Sequence, residues 1–464
     1  MTQYALASLK HAIPQPYWLD AEGPPPAFTR QVGEVRCDLA VVGGGFTGLW
    51  TALLARQRHP DKRIVLIEAR ECGGAASGRN GGFCAPSISH GVSNALKRWP
   101  KEAEALIRLG RQNLNELQRD IERFGLDAEF EREGKLNLAT TPWQVEGLKA
   151  MQRKYERFGI ECQYLEGDAL KGYLDSPVYT AGLFESNYAL LNPARMVREL
   201  RRACLEQGIE LYEQSPVSKL VRHADGLALE TAYGVVRADR LALATNIFTS
   251  LLPGLKSKVI PIYDYALTTQ PLGEEQLRRI GWEGRYGIVD AGNQFHYWRK
   301  TRDNRILWGG YDAIYPFAGK LDEGLTHRPE TFVRLAEQFL QAFPQLGDIQ
   351  FSHAWGGIID SSARTTMFTG SDADGRIAYA LGFTGQGVSA SRFAAATMLD
   401  LLDGQKTERT ALKMLSRAPV RFPPEPFRYI AVNLAQQGLE REDRTGRRNL
   451  LLRTMDAFGV GFDS

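Results

Sequence analysis

Six consecutive residues, Gly43-Gly44-Gly45-Phe46-Thr47-Gly48, have the types and spacing to hold a pyrophosphate. They fit G-x-G-x-x-G, in which each glycine has a mechanical task. Gly43 permits the tight turn out of a strand. Gly45 lets the backbone approach the phosphates, and Gly48 lets the following helix lie close on the strand. That helix, read over Phe46 to Arg58, points its positive N-terminal end at the anion. An apolar run from Arg63 to Ile67 ends in Glu68, twenty residues after Gly48. A carboxylate there can accept hydrogen bonds from an adenosine ribose, so the pattern is that of a dinucleotide site. A second glycine-rich stretch follows, with Gly73, Gly74, Gly78, Gly81 and Gly82. It is too rich in glycine for a helix or strand interior, and such a loop brings backbone N–H groups close to a flat or anionic ligand.

The elements that must position these residues follow from periodicity. Leu39 to Val42 reads as a buried parallel strand. Five prolines between Pro14 and Pro26 make residues 1–35 an extended arm, with Tyr17 and Trp18 as its anchors. Residues 93–125 carry helical spacing, Phe130 to Thr140 reads as a strand pair, and Pro142 opens a helix reaching Phe158. A helix over Pro193 to Glu206 starts at proline and ends before Gly208. Short strands then follow over 209–238, and a buried strand, Leu241 to Ala244, opens into Thr245. Residues 257–315 are rich in strands and aromatic side chains, and 328–343 form an amphipathic helix. The strand Ile377 to Leu381 leads into Gly-Phe-Thr-Gly-Gln-Gly387 and a helix to about Leu402.

A length of 464 residues predicts more than one domain. With 43% hydrophobic and 24% charged residues the chain reads as globular, and a net charge of +3 without a basic run argues against a nucleic-acid partner. No apolar run approaches a membrane span, and the N-terminus lacks a charged-then-apolar leader, so a cytoplasmic protein without membrane contact is expected. The five cysteines are scattered and lack ligand spacing, which predicts reduced thiols and no metal site. The arginine-rich segment after Pro426 reads as an amphipathic helix, either packed on the body or docking on a surface or partner. A single dinucleotide fingerprint predicts one such cofactor, with the reducing substrate binding directly.

VVGGGFTGLWTALLA, IEAR, ASGRNGG, PVSKL, ALATN and GFTGQGVS together resemble the D-amino acid oxidase, glycine oxidase and sarcosine oxidase family of FAD-dependent amine oxidoreductases. The YWLD arm, ASGRNGG and the WGG at Trp355 to Gly357 are most similar to its gamma-glutamylputrescine oxidoreductase branch. The resemblance implies an α/β fold: a Rossmann-like, glutathione-reductase-type FAD-binding domain with an inserted mixed β-sheet substrate domain. The expected division is 36–92, 186–256 and 353–410 for the FAD domain and 93–185 and 257–352 for the substrate domain. The arm over 1–35 and a helical tail over 411–464 complete it.

It further implies FAD, held noncovalently, with Gly43, Gly45, Phe46, Thr47 and Gly48 at the pyrophosphate. Glu68, Ala69 and Arg70 would lie at the adenosine, and Val217 would present its backbone to the adenine. Ala76, Ser77, Arg79, Asn80, Gly81 and Gly82 would run beside the flavin, with Ala244 and Thr245 closing over it. Gly385, Gln386, Gly387 and Val388 would meet its pyrimidine edge, where the N-terminus of the following helix stabilises negative charge as it forms.

The implied reaction removes hydride from the carbon beside a neutral amine to flavin N5, and water then hydrolyses the imine. The substrate is a small primary or secondary amine, gamma-glutamylputrescine-like or another with an anionic tail. N-alkyl amino acids, aminosulfonates and aminophosphonates remain open. Tyr265, Tyr297 and Trp308 are candidates to hold an alkylammonium by cation–π contact, and core packing accounts for each equally well. Alternation puts Phe295, Tyr297 and Arg299 on one face and His296 and Trp298 on the other, without choosing which faces the flavin. Arg299, Arg302 and above all Arg364 are candidates for an anionic tail, and surface positions suit them as well. His296 and His353 read as packing residues, and Asp360 as a local cap or pair. The electron acceptor is oxygen, or a quinone or carrier in a dehydrogenase. A flavin-binding subunit of a larger oxidoreductase is the alternative of another class.

Overall fold

A computed structural model describes residues 1–457 and 461. The fold is α/β, with two large sheets. In the first, the order is Phe368–Ser371, Ile377–Leu381, Gly234–Leu243, Gly33–Val42, Ile64–Ile67, Glu210–Tyr212. The last five of these run parallel, and Phe368–Ser371 at the edge is antiparallel to its neighbour. Val42 lies level with Ile67 on one side and Leu243 on the other, so the loops that begin at Gly43, Glu68 and Ala244 leave the sheet at one edge. The loop that begins at Gly382 joins them there. In an open parallel sheet that carboxyl edge is where a ligand binds. The helices Phe46–Arg58 and Gly387–Leu402 pack on this sheet through Leu49, Trp50, Leu53, Phe393 and Ala394, all fully or nearly fully buried.

The second sheet runs Phe351–Ser362, Val259–Thr269, Ile306–Gly310, His296–Lys300, Gly287–Asp290, Lys135–Ala139, Ala181–Glu185, Cys162–Glu166. Its neighbours are antiparallel except for one parallel pair, Gly287–Asp290 beside Lys135–Ala139. The amphipathic helix Pro329–Ala342 covers one face. Phe332, Leu335 and Phe339 pack there with Tyr265, Leu267, Trp298 and Trp308. The other face carries Ala266, Leu307, Trp355 and the half-buried Tyr297, and packs against Trp18 and Ala194.

Several expectations need correction. The arm over 1–35 is not extended throughout: Thr2–Ser8 and Tyr17–Ala21 are helices. Its prolines flank these helices rather than interrupt them. Between them Ile13 bridges to His353 and adds the arm to the edge of the second sheet, and Trp18 is buried as an anchor should be. Residues 93–125 form two helices, Val92–Arg98 and Ala103–Arg123, because Pro100 cannot continue the first. In 130–140 only Lys135–Ala139 is a strand, and Glu131 makes a lone bridge to Leu190. The boundary expected at 352/353 falls inside the strand Phe351–Ser362, which pairs with Val259–Thr269 from end to end. The strands expected near 234–238 and 241–244 are one, Gly234–Leu243. The tail over 411–464 is helical at Phe427–Thr445 and Leu450–Ala457, and residues 458–460 and 462–464 lie outside the described residues. Among the described residues no helix is long and apolar enough to cross a membrane.

Candidate active site

The glycine turn has the geometry its spacing demands. Gly43 sits at φ 111°, where a side chain would be strained, and a Cβ on it would overlap the Ala244 carbonyl oxygen. A Cβ on Gly48 would overlap the Gly43 carbonyl oxygen, so this glycine sets how closely helix Phe46–Arg58 approaches its strand. At Gly45 a Cβ would meet Ser77 Oγ at 2.9 Å, and that hydroxyl accepts a hydrogen bond from the Phe46 N–H at 3.0 Å. Ser77 therefore ties the second glycine-rich stretch to the first. Neither N-cap residue, Gly45 nor Gln386, makes a side-chain cap, and only the Phe46 N–H is taken, by Ser77, which leaves further donors at both helix N-termini for a ligand.

The adenosine candidates gather beside this turn. Glu68 accepts hydrogen bonds from the N–H groups of Gly44 (2.6 Å) and Arg70 (2.8 Å), while burial pushes its carboxyl above the ordinary value. Ser215 N donates to the Glu68 carbonyl at 2.9 Å, which brings the chain leading to Val217 alongside. Ala69 lies between these contacts, and Arg70 pairs with Glu323.

Ala76–Arg79 is a single helical turn. Asn80 donates to the carbonyls of Ala76 and Ser77 and accepts from the Gly82 N–H at 2.8 Å. The Arg79 carbonyl accepts from the Trp355 indole at 2.9 Å, which fastens the stretch to the second sheet. Gly81 faces the Tyr297 ring, since a Cβ there would come within 2.9 Å of it. Thr245 follows Ala244 at the same edge. In the last loop Asp360 accepts hydrogen bonds from the N–H groups of Gly382 (2.5 Å) and Phe383 (3.2 Å), the local pairing its position suggested. Burial raises its carboxyl to about 7. Gly385 turns at φ 84°, and the Gln386 side-chain oxygen is buried without a partner. A buried orphan acceptor beside an uncapped helix start fits a bound group with donors of its own.

The substrate candidates separate. Tyr297 lies on the face that packs against Trp18 and Ala194, with its O–H donating to Asp264 at 2.8 Å and its ring edge-on to Phe83. Tyr265 and Trp308 lie on the opposite face. Tyr265 donates to the Leu325 carbonyl at 2.8 Å, and Trp308 stacks on His296 and packs against Trp298, Phe339 and Phe343. Both are core residues, so Tyr265→Phe should cost about 1 kcal/mol of stability. Denaturant unfolding checks this, and steady-state rates should not move. Arg364 donates to the Met414 carbonyl at 2.6 Å and lies over the Trp99 ring, with burial lowering it to about 10. Arg299 is fully buried, donates to the Leu191 carbonyl at 2.6 Å and lies over Trp18, while Arg302 pairs with Glu131 at the surface. The three arginines are thus committed to partners within the chain. His296 bonds Asp290 and Gln338, and His353 bonds Asp20 and Ser352, as packing residues do.

Asp264 is the residue that sequence reasoning passed over. Burial raises its carboxyl to about 6. Its signal was a charged residue inside the apolar strand Val259–Thr269. The five cysteines are free, and the described residues hold no cluster of His, Cys, Asp and Glu able to bind a metal.

A parallel-sheet edge with a pyrophosphate turn, an acid at the second strand and a second sheet over its loops defines a two-domain dinucleotide-binding flavoprotein. Residues 38–401 match the model of the FAD dependent oxidoreductase (DAO) family, and the chain belongs to that family. It is an FAD-dependent oxidoreductase. Gamma-glutamylputrescine oxidoreductase of Escherichia coli is 28% identical over 84% of this chain and 88% of its own. A probable oxidoreductase, OrdL, of Haemophilus influenzae is 25% identical over the same shares. Glycine oxidase from Geobacillus kaustophilus has the same fold, with a TM-score of 0.69 at 18% identity over 83% of this chain and all of that one.

Proposed function

We propose that the chain oxidises a small primary or secondary amine, with gamma-glutamylputrescine the first candidate and an amine with another anionic tail the second. FAD, when bound, accepts the hydride lost from the carbon beside nitrogen, and water hydrolyses the resulting imine. The Gly43–Gly48 turn and the N-terminus of helix Phe46–Arg58 would hold the pyrophosphate, and Glu68 the ribose. The Gly385–Val388 loop and the start of helix Gly387–Leu402 would stabilise charge at the pyrimidine edge. Tyr297 and the tied loop around Gly81 would exclude water and orient the amine.

The observation that carries this reading is the placement of Tyr297, against Gly81 of the second glycine-rich stretch and on the second sheet's inner face. No candidate arginine stands free beside it, so the amine end of the substrate, rather than its tail, dominates recognition. The test is anaerobic loss of the flavin's visible absorbance on adding gamma-glutamylputrescine, sarcosine, D-amino acids, taurine or aminoalkylphosphonates. Bleaching by the first alone is the expected result. Bleaching by none, with FAD firmly bound, overturns the reading in favour of a flavin-binding subunit. Recolouring with peroxide formation on readmitting oxygen identifies an oxidase, and slow recolouring identifies a dehydrogenase that needs a quinone or carrier.

A further inference from the structure

The inner face of the second sheet is paved by one row of residues. Register places Trp355 beside Ala266, Ala266 beside Gly309, and Gly309 beside Tyr297. Two residues along, Asp264 lies opposite Gly357 on the same face. Glycine at 309 lets the Tyr297 ring lie across the row, since a Cβ there would come within 2.6 Å of the ring and its hydroxyl. The Tyr297 O–H thereby reaches Asp264 and fixes one carboxylate oxygen at 2.8 Å.

What Asp264 lacks is a cation. Among the described residues no Lys, Arg or His pairs with it, and the one charged side chain that acts on it at a distance is Asp312, of like sign. A buried carboxylate without a counter-ion is costly unless something else supplies the charge. Room for that something exists. Asp264 is half-buried, so the residue keeps some access to solvent. A Cβ on its neighbour Gly357 would meet nothing closer than Arg79 Cβ, at 3.8 Å.

We infer that Asp264, fixed by Tyr297, is the group that receives the substrate's ammonium, so that the site selects alkylammonium ions. This rests on the amine-oxidation reading. The Tyr297 ring adds a cation–π wall at the same spot. A carboxylate that merely anchors Tyr297 is the competing account, and the isosteric amide separates the two because its oxygen still accepts the Tyr297 O–H.

The experiment titrates the FAD-loaded enzyme with tert-butylammonium, which has no C–H beside nitrogen and cannot be oxidised. Binding is followed by the flavin difference spectrum, with tert-butanol as the neutral probe. The expected result is saturable binding of the cation to the wild type, weakened about tenfold or more in Asp264→Asn, as loss of a charge-assisted contact requires. The alcohol should bind both equally weakly. Tyr297→Phe keeps the charge and should stay within about threefold of wild type, because the carboxylate remains the main attraction. Equal binding of the cation to wild type and Asp264→Asn, or no preference of the wild type for the cation over the alcohol, overturns the inference. Should Asp264→Asn not fold, the wild type's preference for tert-butylammonium over both tert-butanol and pivalate decides it. Amine oxidation itself is tested separately by bleaching, so a site that binds the cation while no amine bleaches the flavin refutes the function and not the carboxylate.

Discussion

Gly48→Ala should yield a colourless, destabilised protein. The new Cβ would overlap the Gly43 carbonyl oxygen and press on Val41 Cγ1 at 3.4 Å. Neither neighbour can yield cheaply. Gly43 is already held at φ 111°, with the Ala244 carbonyl against it on the other side, and Val41 is a fully buried core residue. The helix Phe46–Arg58 must therefore lift from its strand. That lift would disturb the burial of Leu49, Trp50 and Leu53, each fully buried. Overpacking in a close-packed core costs about 1–3 kcal/mol, and a clash with backbone lies at the upper end or beyond. The same lift moves the turn that cradles the pyrophosphate, so FAD affinity should fall by about two orders of magnitude, equivalent to ~3 kcal/mol. The checks are the ratio of flavin to protein absorbance after purification and the thermal midpoint. A matched control is Gly147→Ala, in helix Pro142–Arg157, where a Cβ would meet nothing within 4 Å. It should gain up to ~1 kcal/mol and keep its flavin. A yellow, fully loaded Gly48→Ala protein with an unchanged midpoint would refute the close helix–strand contact as the reason for this glycine.

The cofactor half of the molecule was legible in the sequence because its requirements are local. A strand, a turn with a forced positive φ and a helix that must lie close can be read from Leu39 to Arg58 without knowing anything distant. The helix Pro193–Glu206 was equally plain, with proline at its start and glycine past its end. The substrate half was not legible, because alternation on His296–Lys300 gives two faces and says nothing about what covers each. The covering helix, Pro329–Ala342, lies about 30 residues further along, and its packing alone turns Trp308 and Tyr265 inward to the core and leaves Tyr297 toward Trp18 and Ala194. Arg364 misled for a related reason. It follows a strand near the cofactor part of the fold, yet its partner, the Met414 carbonyl, comes from a later segment with no pattern of its own. Asp264 was hidden between two tyrosines that looked more like chemistry than it did. The proline-rich arm was misread because proline marks where helices begin as readily as where they are absent, as Pro16 before Tyr17–Ala21 shows.

Asp360→Asn should remove a pH dependence that the wild type carries. The carboxyl of Asp360 is raised from an ordinary 3.8 to about 7, first by burial, against which the N–H groups of Gly382 and Phe383 pull it down. A raised carboxyl means that the native state holds the proton more tightly than the unfolded chain. Stability is therefore lost as pH climbs from the ordinary value through about 7, and the loss is complete above it. At 1.36 kcal/mol per unit the shift sets an upper bound of ~4 kcal/mol on that loss. Asp264, raised to about 6, adds a loss of the same sign at slightly lower pH, but it is present in both proteins and cancels in their difference. Asparagine cannot ionise. Its oxygen can still accept from Gly382, while the Phe383 N–H loses its acceptor at a cost of about 1–3 kcal/mol. Wild type should thus be the more stable protein near pH 5, and its lead should shrink by up to ~2.6 kcal/mol, the roughly two pH units below the native value at 1.36 kcal/mol each, to nothing or a reversal, near pH 8. Urea unfolding of both at the two pH values measures the difference directly. A lead that stays constant would mean that Asp360 keeps one protonation state throughout, and that the N–H groups of Gly382 and Phe383, with the helix behind them, outweigh its burial.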